Sequence, residues 1–130
     1  MNEPYWLTFD ECLALHEMMV AQYGGIVGLR DESLLRSALG KPQNVFAYGH
    51  PTMADLAASY AVGIVKNHPF LDGNMRTGFM MAAGFLERNG WHFTATETDA
   101  ALRTLALAAG ELTESGYAAW LEAHSSAPGV

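Results

Sequence analysis

The residues best suited to chemistry lie in one continuous stretch, which reads His68-Pro69-Phe70-Leu71-Asp72-Gly73-Asn74-Met75-Arg76. A histidine exchanges protons near neutral pH, so His68 is a candidate general base for an attacking hydroxyl. An aspartate is a common ligand of Mg²⁺, and an arginine binds phosphate oxygens. This combination predicts a local site that holds and transfers a phosphate group.

The second half of this stretch is predicted to begin a helix. The first backbone N–H groups of a helix have no intrahelical partner, and together with the helix dipole they bind anions. Arg76 in the first turn would oppose the dipole unless an anion were bound there. Asp72 would repel a bare phosphate but would attract one through a shared Mg²⁺. The sequence therefore predicts Asp72 as a metal ligand and a phosphate site at Gly73, Asn74, Met75 and Arg76.

Helical patterns account for most of the chain and predict an all-α fold. A capping box at Thr8 and Glu11 begins a first helix, which Gly24-Gly25 should end. Residues 24 to 30 are glycine-rich and predict a small hairpin or flap. Asp31 should cap a short second helix that ends at Gly40 and Pro42, followed by an irregular connection over residues 41 to 51.

The site is predicted to lie between the next two helices. A helix that begins at Thr52 should stop near Asn67, because Pro69 favours an extended conformation for His68. The following helix, from residue 73 or 74 to about 89, is apolar nearly all round and predicts a central buried helix. Two further helices are expected after Thr96 and around Trp120. Residues 1 to 124 are predicted to form one domain, with a flexible tail at 125 to 130.

Composition excludes several classes of function. The net charge is −7, with 14 acidic and 7 basic residues, which argues against direct nucleic-acid binding. Cys12 is the only cysteine, which excludes an internal disulfide framework and fits a reducing compartment. No apolar stretch reaches the roughly 18 residues of a membrane span. A cytoplasmic protein without a membrane segment is expected.

The nine-residue stretch resembles the signature of the Fic/Doc family: histidine, proline, phenylalanine, any residue, an acidic residue, glycine, asparagine, any residue, arginine. Three further segments are similar to the death-on-curing (Doc) toxin branch, namely residues 23–25, 56–60 and 86–90. The resemblance covers roughly residues 5 to 110. It implies a compact helical Fic fold with His68 as base, Asp72 as magnesium ligand, and Asn74, Arg76 and the amides of 73 to 76 on the phosphates. It also implies that a flap near residues 25 to 30, including Gly25, Ile26, Val27 and Gly28, docks the target chain.

For the Doc branch, the resemblance implies an ATP-dependent toxin that phosphorylates a Ser or Thr hydroxyl of a bacterial translation factor, the elongation factor that delivers aminoacyl-tRNA. Many Fic proteins are restrained by an internal glutamate followed by glycine or asparagine, and no glutamate here has either neighbour. A cognate antitoxin is therefore the expected partner.

Two positions depart from the family pattern. Met75 stands where Doc toxins usually carry lysine and nucleotide-transferring Fic enzymes carry glycine, and Phe79 stands where those enzymes carry a second arginine. Transfer of AMP and a catalytically degenerate binding module are therefore the alternatives. Arg76, with Lys66 as a further candidate, would supply the local positive charge.

A metal-dependent phosphohydrolase is the weakest alternative function, because no second histidine stands at ligand spacing. The four other histidines are expected to be structural or surface residues: His16, His50, His92 and His124. Phe70 is expected to be a core anchor.

Overall fold

The computed structural model of the protein describes residues 2 to 129. Met1 of the predicted domain and Val130 of the predicted tail lie outside the described residues. The helices are α1 (Phe9–Tyr23), α2 (Glu32–Tyr48), α3 (Met53–Asn67), α4 (Asn74–Arg88), α5 (Glu97–Ala108) and α6 (Glu114–Ala123). Two short strands, β1 (His92–Phe93) and β2 (Ser125–Ser126), form an antiparallel pair. The predicted all-α fold is confirmed. None of the helices described between residues 2 and 129 is long and apolar enough to cross a membrane.

Side-chain caps begin five of these helices, and four of the caps were predicted. The hydroxyl of Thr8 accepts the N–H of Glu11 at 3.1 Å, and the Glu11 carboxylate accepts the N–H of Thr8 in return. Asp31, Thr52, Thr96 and Thr113 cap the starts of α2, α3, α5 and α6 with a side-chain oxygen that accepts a backbone N–H, and at Thr52 the contact is again reciprocal. Because these signals involve residues only three apart, they can be read from sequence.

The centre of the fold is α3, not α4 as the sequence predicted. Ten of the fifteen residues of α3 are buried, against seven of the fifteen in α4. Small residues such as Ala57, Ala61 and Gly63 let α3 sit between α2, α4 and α6. Helix α4 instead has exposed residues at both ends, including Met75, Arg76 and Arg88.

Helix α2 runs through the predicted stop at Gly40 and Pro42, so the irregular connection predicted from residue 41 is wrong as far as Tyr48. A proline inside a helix removes one hydrogen bond and costs about 3 kcal/mol. Tertiary packing offsets this cost, because Pro42 is buried and Val45 and Phe46 pack against the core. The Ala38 carbonyl, which lacks a Pro42 N–H, faces Gly63: a Cβ there would lie 3.1 Å from its oxygen.

Pro69 ends α3 as predicted, but His68 is not extended. Its φ of 49° and ψ of 55° place it in the left-handed region, as the C-cap of α3. In this conformation the His68 N–H still reaches the Ile64 carbonyl at 3.0 Å. The left-handed cap satisfies one more helix carbonyl and turns the chain into the site loop.

The first two residues of the predicted tail form strand β2. Ser125 and Ser126 pair with Phe93 and His92, and the Ser125 hydroxyl donates to the Leu121 carbonyl at 2.6 Å. Two residues of the predicted tail thus belong to a strand, and the flexibility of residues 125 to 130 stays a prediction. The expected extended link at His92 and Phe93 supplies the partner strand.

Candidate functional site

The loop between α3 and α4 carries the predicted base. His68 is exposed, and its Nδ1 lies 3.3 Å from Nδ2 of Asn74. The guanidinium of Arg30 donates to the carbonyls of Asn67 and His68 at 2.8 and 2.7 Å, which fixes the backbone at this turn. Within residues 2 to 129, Nε2 of His68 makes no hydrogen bond, so this exposed nitrogen is available to exchange a proton.

Asn74 organises this loop from inside. Its Oδ1 accepts the N–H of Phe70, and its Nδ2 donates to the Phe70 carbonyl, both at 3.0 Å. This double contact fixes the direction of the amide and turns its Nδ2 toward His68. The Asn74 side chain is buried, and both of its polar atoms are bonded within the loop, so this geometry does not support its predicted contact with phosphate. Its backbone N–H remains at the open start of α4. When Nδ1 of His68 accepts from Asn74, the neutral ring carries its proton on Nε2, so a base at Nε2 requires the other tautomer.

Asp72, the predicted metal ligand, is exposed beside the flap. Its Oδ1 accepts the N–H of Gly73 at 2.9 Å, and its Oδ2 accepts the N–H of Ile26 at 3.2 Å. Gly25 lies so close that a Cβ there would meet Oδ2 at 2.7 Å, and its φ is +120°. The carboxylate therefore joins the flap to the loop, and the Gly73 amide is not free for phosphate in this conformation.

The flap does not fold back on itself as a hairpin. Residues 24 to 30 pair instead with the site loop: Leu71 donates to the Gly28 carbonyl at 3.0 Å, Arg30 donates to the Pro69 carbonyl at 2.7 Å, and Leu29 and Phe70 form an isolated bridge. Ile26 and Val27 are 62% and 58% exposed. The predicted docking residues thus form an apolar edge next to Asp72.

The start of α4 differs from the other helix starts described. Gly73 is its N-cap, in the left-handed region with φ of +74°, and no side chain caps the helix. The backbone N–H groups of Asn74, Met75 and Arg76 donate no hydrogen bond to any residue from 2 to 129. Three aligned amides therefore point out of the end of α4.

Arg76 lies in the first turn of α4, and its side chain makes no hydrogen bond or salt bridge with any residue from 2 to 129. Its guanidinium lies 3.7 Å from the centre of the Tyr23 ring. Every other lysine or arginine has a hydrogen bond or salt bridge. Those of Arg36, Lys41, Arg88 and Arg103 are to carboxylates, and those of Arg30 and Lys66 are to backbone carbonyls. Among residues 2 to 129, Arg76 is the one lysine or arginine without a hydrogen bond or salt bridge, so all of its N–H groups remain available to an anion.

Lys66 does not join Arg76. Its ammonium group donates to the Leu107 carbonyl at 3.0 Å, near the end of α5. The predicted contribution of Lys66 to the phosphate site is therefore wrong, because the side chain is used to hold α3 to α5.

His16 supports the loop between α3 and α4, a role that was not predicted from the sequence. His16 is 2% exposed, its ring stacks on Phe70 at 3.9 Å, and its Nε2 lies 2.8 Å from the Asp72 carbonyl. It is structural, as expected, and it fixes the peptide that carries Asp72, the predicted metal ligand. The signal was present in its place on the buried face of α1, beside Cys12 and Met19.

The two departures from the family pattern have different surroundings. Met75 is 41% exposed at the open end of α4. Phe79 is half-buried, with its ring 5.8 Å from Phe93 and 6.3 Å from Trp120. The position at which nucleotide-transferring enzymes carry an arginine is thus part of an aromatic cluster away from the amides.

The fold and this loop together define a small all-helical protein of the Fic type, in which a histidine, an aspartate and an arginine surround an uncapped helix start. The Fic/DOC family model matches residues 6 to 86, more than half of the chain, and the protein belongs to this family.

Two relatives are similar over different lengths. "Protein kinase doc" of Escherichia phage P1 is 34% identical over 110 residues, which cover 84% of this chain and 86% of the relative. "Toxin Doc" of Mycolicibacterium smegmatis (strain ATCC 700084 / mc(2)155) is 37% identical over 76 residues, which cover 56% of this chain and 58% of the relative.

Proposed function

We propose that this protein is a Doc-like toxin that transfers the γ-phosphate of ATP to a serine or threonine hydroxyl of a bacterial translation factor in the cytoplasm. The observation that carries the proposal is the open start of α4, where three amides have no hydrogen-bond partner among residues 2 to 129 and the first turn carries Arg76, a cation without a salt bridge there. The names of the relatives, one a protein kinase and one a toxin, support the same activity.

The proposed roles follow the positions of the groups. The amides of residues 74 to 76 and Arg76 bind phosphate oxygens, because charge-assisted hydrogen bonds are the strongest such contacts available. The target hydroxyl oxygen bonds to the γ-phosphorus while the bond from that phosphorus to the bridging oxygen of ADP breaks. His68 takes the hydroxyl proton at Nε2 in its Nδ1-protonated tautomer, which gives up the 3.3 Å contact with the Asn74 amide. The exposed flap residues Ile26 and Val27 dock the target chain beside the loop.

Asp72 is the proposed ligand of Mg²⁺. No cluster of three metal-binding side chains occurs in the part of the chain that the structure describes. This donor set fits Mg²⁺ shared with a nucleotide, because that ion is commonly held by one or two carboxylates plus substrate phosphates. When bound, the ion neutralises charge on the phosphates. The Asp72 carboxylate also accepts hydrogen bonds from the N–H groups of Ile26 and Gly73.

Phosphate transfer is favoured over transfer of AMP. The second arginine of the nucleotide-transferring enzymes is replaced by Phe79, and the Phe79 ring packs in the aromatic cluster with Phe93 and Trp120. The binding-module alternative rests on Met75, which supplies no charge for the phosphates. A cognate antitoxin remains the proposed partner, since the family's internal glutamate motif is absent from the sequence.

The proposal is tested with bacterial lysate, Mg²⁺ and ATP labelled at either the γ- or the α-phosphate. Wild type is expected to label one protein from the γ-phosphate only. His68→Asn, which retains a residue type that tolerates the left-handed conformation, should lower labelling by about 10²- to 10⁴-fold. His50→Asn, at an exposed histidine outside the site, is the matched control and should label normally.

Labelling from the α-phosphate would replace the proposal with AMP transfer. Absence of label from both forms, with folded protein, would favour the binding module. Full labelling by His68→Asn would remove the base assignment.

A further inference from the structure

The aromatic ring beneath Arg76 has no role in the function described so far. Tyr23 is the last residue of α1, 53 positions before Arg76 in the sequence, and no resemblance assigns it chemistry. Its ring covers one face of the guanidinium at 3.7 Å, the shortest of the three arginine–aromatic contacts found within residues 2 to 129. The contact leaves the N–H edge of Arg76 uncovered.

The two other stacked arginines show what is different here. Arg36 lies 4.1 Å from the Phe9 ring and also binds Glu32, and Arg88 lies 5.9 Å from the Tyr5 ring and also binds Glu11. Their carboxylate partners hold them whether or not the ring is present. Within residues 2 to 129, the Arg76 guanidinium has no hydrogen bond or salt bridge, and its cation–π contact is with Tyr23.

Stacking suits an arginine that must stay ready for an anion. A ring face attracts the guanidinium without using its N–H donors, whereas a carboxylate would use them and would compete with phosphate. Restraining a long side chain in advance also reduces the entropy lost when the ligand binds. The Tyr23 hydroxyl points away from this contact, donating to Glu97 and accepting from Gln22, both at a long 3.3 Å, so the ring alone is assigned the contact with Arg76.

We propose that Tyr23 is a positioning residue that restrains the guanidinium of Arg76, a residue of the first turn of α4, and thereby strengthens binding of the ATP phosphates. This inference rests on the proposed function, because it takes ATP as the ligand of Arg76. Tyr23 acts through Arg76 and makes no contact with the transferred group. Its removal therefore weakens ATP binding while the transfer rate at saturating ATP stays unchanged.

The test is the affinity of the purified full chain for ATP with Mg²⁺, measured by calorimetry. Tyr23→Leu is expected to weaken binding about two- to fivefold, the range of a cation–π contact at an exposed site. Tyr23→Phe keeps the ring and should bind like wild type, and Tyr23→Trp should bind at least as tightly. Tyr5→Leu removes the ring over Arg88 and is the matched control with unchanged affinity.

Combining variants shows whether the effect passes through Arg76. In an Arg76→Ala background, Tyr23→Leu should cause no further loss. Equal weakening by Tyr23→Phe, an added loss in that background, or unchanged affinity of folded Tyr23→Leu would overturn the inference. If Tyr23→Leu does not fold, weaker binding by folded Tyr23→Trp would overturn it instead.

The same measurement separates the two proposals. Wild type that binds no ATP would overturn both. Wild-type binding that is lost in Arg76→Ala but unaffected by Tyr23→Leu would overturn the role of Tyr23 alone.

Discussion

Helices α3 and α4 follow each other in the chain and pack together, yet they begin in opposite ways. At the start of α3, the Thr52 hydroxyl accepts the Asp55 N–H at 3.0 Å, and the Asp55 carboxylate accepts the Thr52 N–H at 2.9 Å. At the start of α4 there is no side-chain cap and no acidic residue in the first turn, and Arg76 opposes the dipole.

The start of α3 is built for stability, whereas the start of α4 leaves backbone N–H groups without a capping side chain. A cap is worth about 1 kcal/mol, and α3 takes that stabilisation from its own side chains. The α4 start leaves its amides to water or to a ligand. Met75 and Arg76 are exposed, so the site is open to solvent and not enclosed in the interior as the predicted buried helix suggested.

The largest expected effect distinguishes the aspartates of the two helix starts. Asp72→Asn should lower the transfer rate at low millimolar Mg²⁺ by about 100-fold or more, since metal assistance is worth several kcal/mol. Asp55→Asn should weaken a structural cap and leave transfer unchanged. Transfer rates measured against Mg²⁺ concentration check both. An unaltered Mg²⁺ dependence in Asp72→Asn would show that another residue holds the ion.

A smaller effect distinguishes the two ends of α4. Arg76→Ala should weaken ATP binding about 10- to 100-fold, because it removes hydrogen bonds to a charged group, and should not lower the free energy of unfolding. Arg88, in the last turn, pairs with Glu11 at 2.8 Å and favours the dipole. Arg88→Ala should cost less than about 1 kcal/mol of stability and leave ATP binding intact. Calorimetry measures the ATP affinity, and urea unfolding measures the free energy of unfolding. If Arg76→Ala lowered stability alone and Arg88→Ala weakened ATP binding, Arg76 would not be the phosphate-binding arginine.

The smallest effect is expected from the cap of α3, which should change stability but not ATP binding. Thr52→Ala should lower the free energy of unfolding by about 1 kcal/mol, since it removes the acceptor for the Asp55 N–H. Thr52→Ser keeps the hydroxyl and is the matched control. ATP binding should be unchanged in both variants. Equal destabilisation by serine and alanine would indicate that lost packing, not the cap, explains the change.

Local signals explain what could be predicted of the fold. Caps at Thr8, Asp31, Thr52 and Thr96 depend on neighbouring residues and were identified from sequence. The path of α2 through Pro42 could not be, because it depends on the packing of Ala38 against Gly63, a residue of another helix. The left-handed His68 was also missed, since proline excludes the helical conformation before it without choosing between the remaining ones.

The candidate site divides in the same way. The loop from His68 to Arg76 is continuous in sequence, so the base, metal ligand and phosphate site could be proposed together. The contacts of His16 with Asp72 and of Tyr23 with Arg76 join α1 to this loop across 56 and 53 positions. Periodicity places such residues on a helix face but does not say which loop that face meets.

Amide hydrogen exchange, followed by NMR, is the most direct test of a phosphate site at the start of α4. On addition of ATP and Mg²⁺ to wild type, the amides of Asn74, Met75 and Arg76 should become protected, while those of residues 53 to 55 should not change. Protection confined to the α4 start would support the phosphate site. Unchanged exchange at residues 74 to 76, with ATP at saturating concentration, would contradict it.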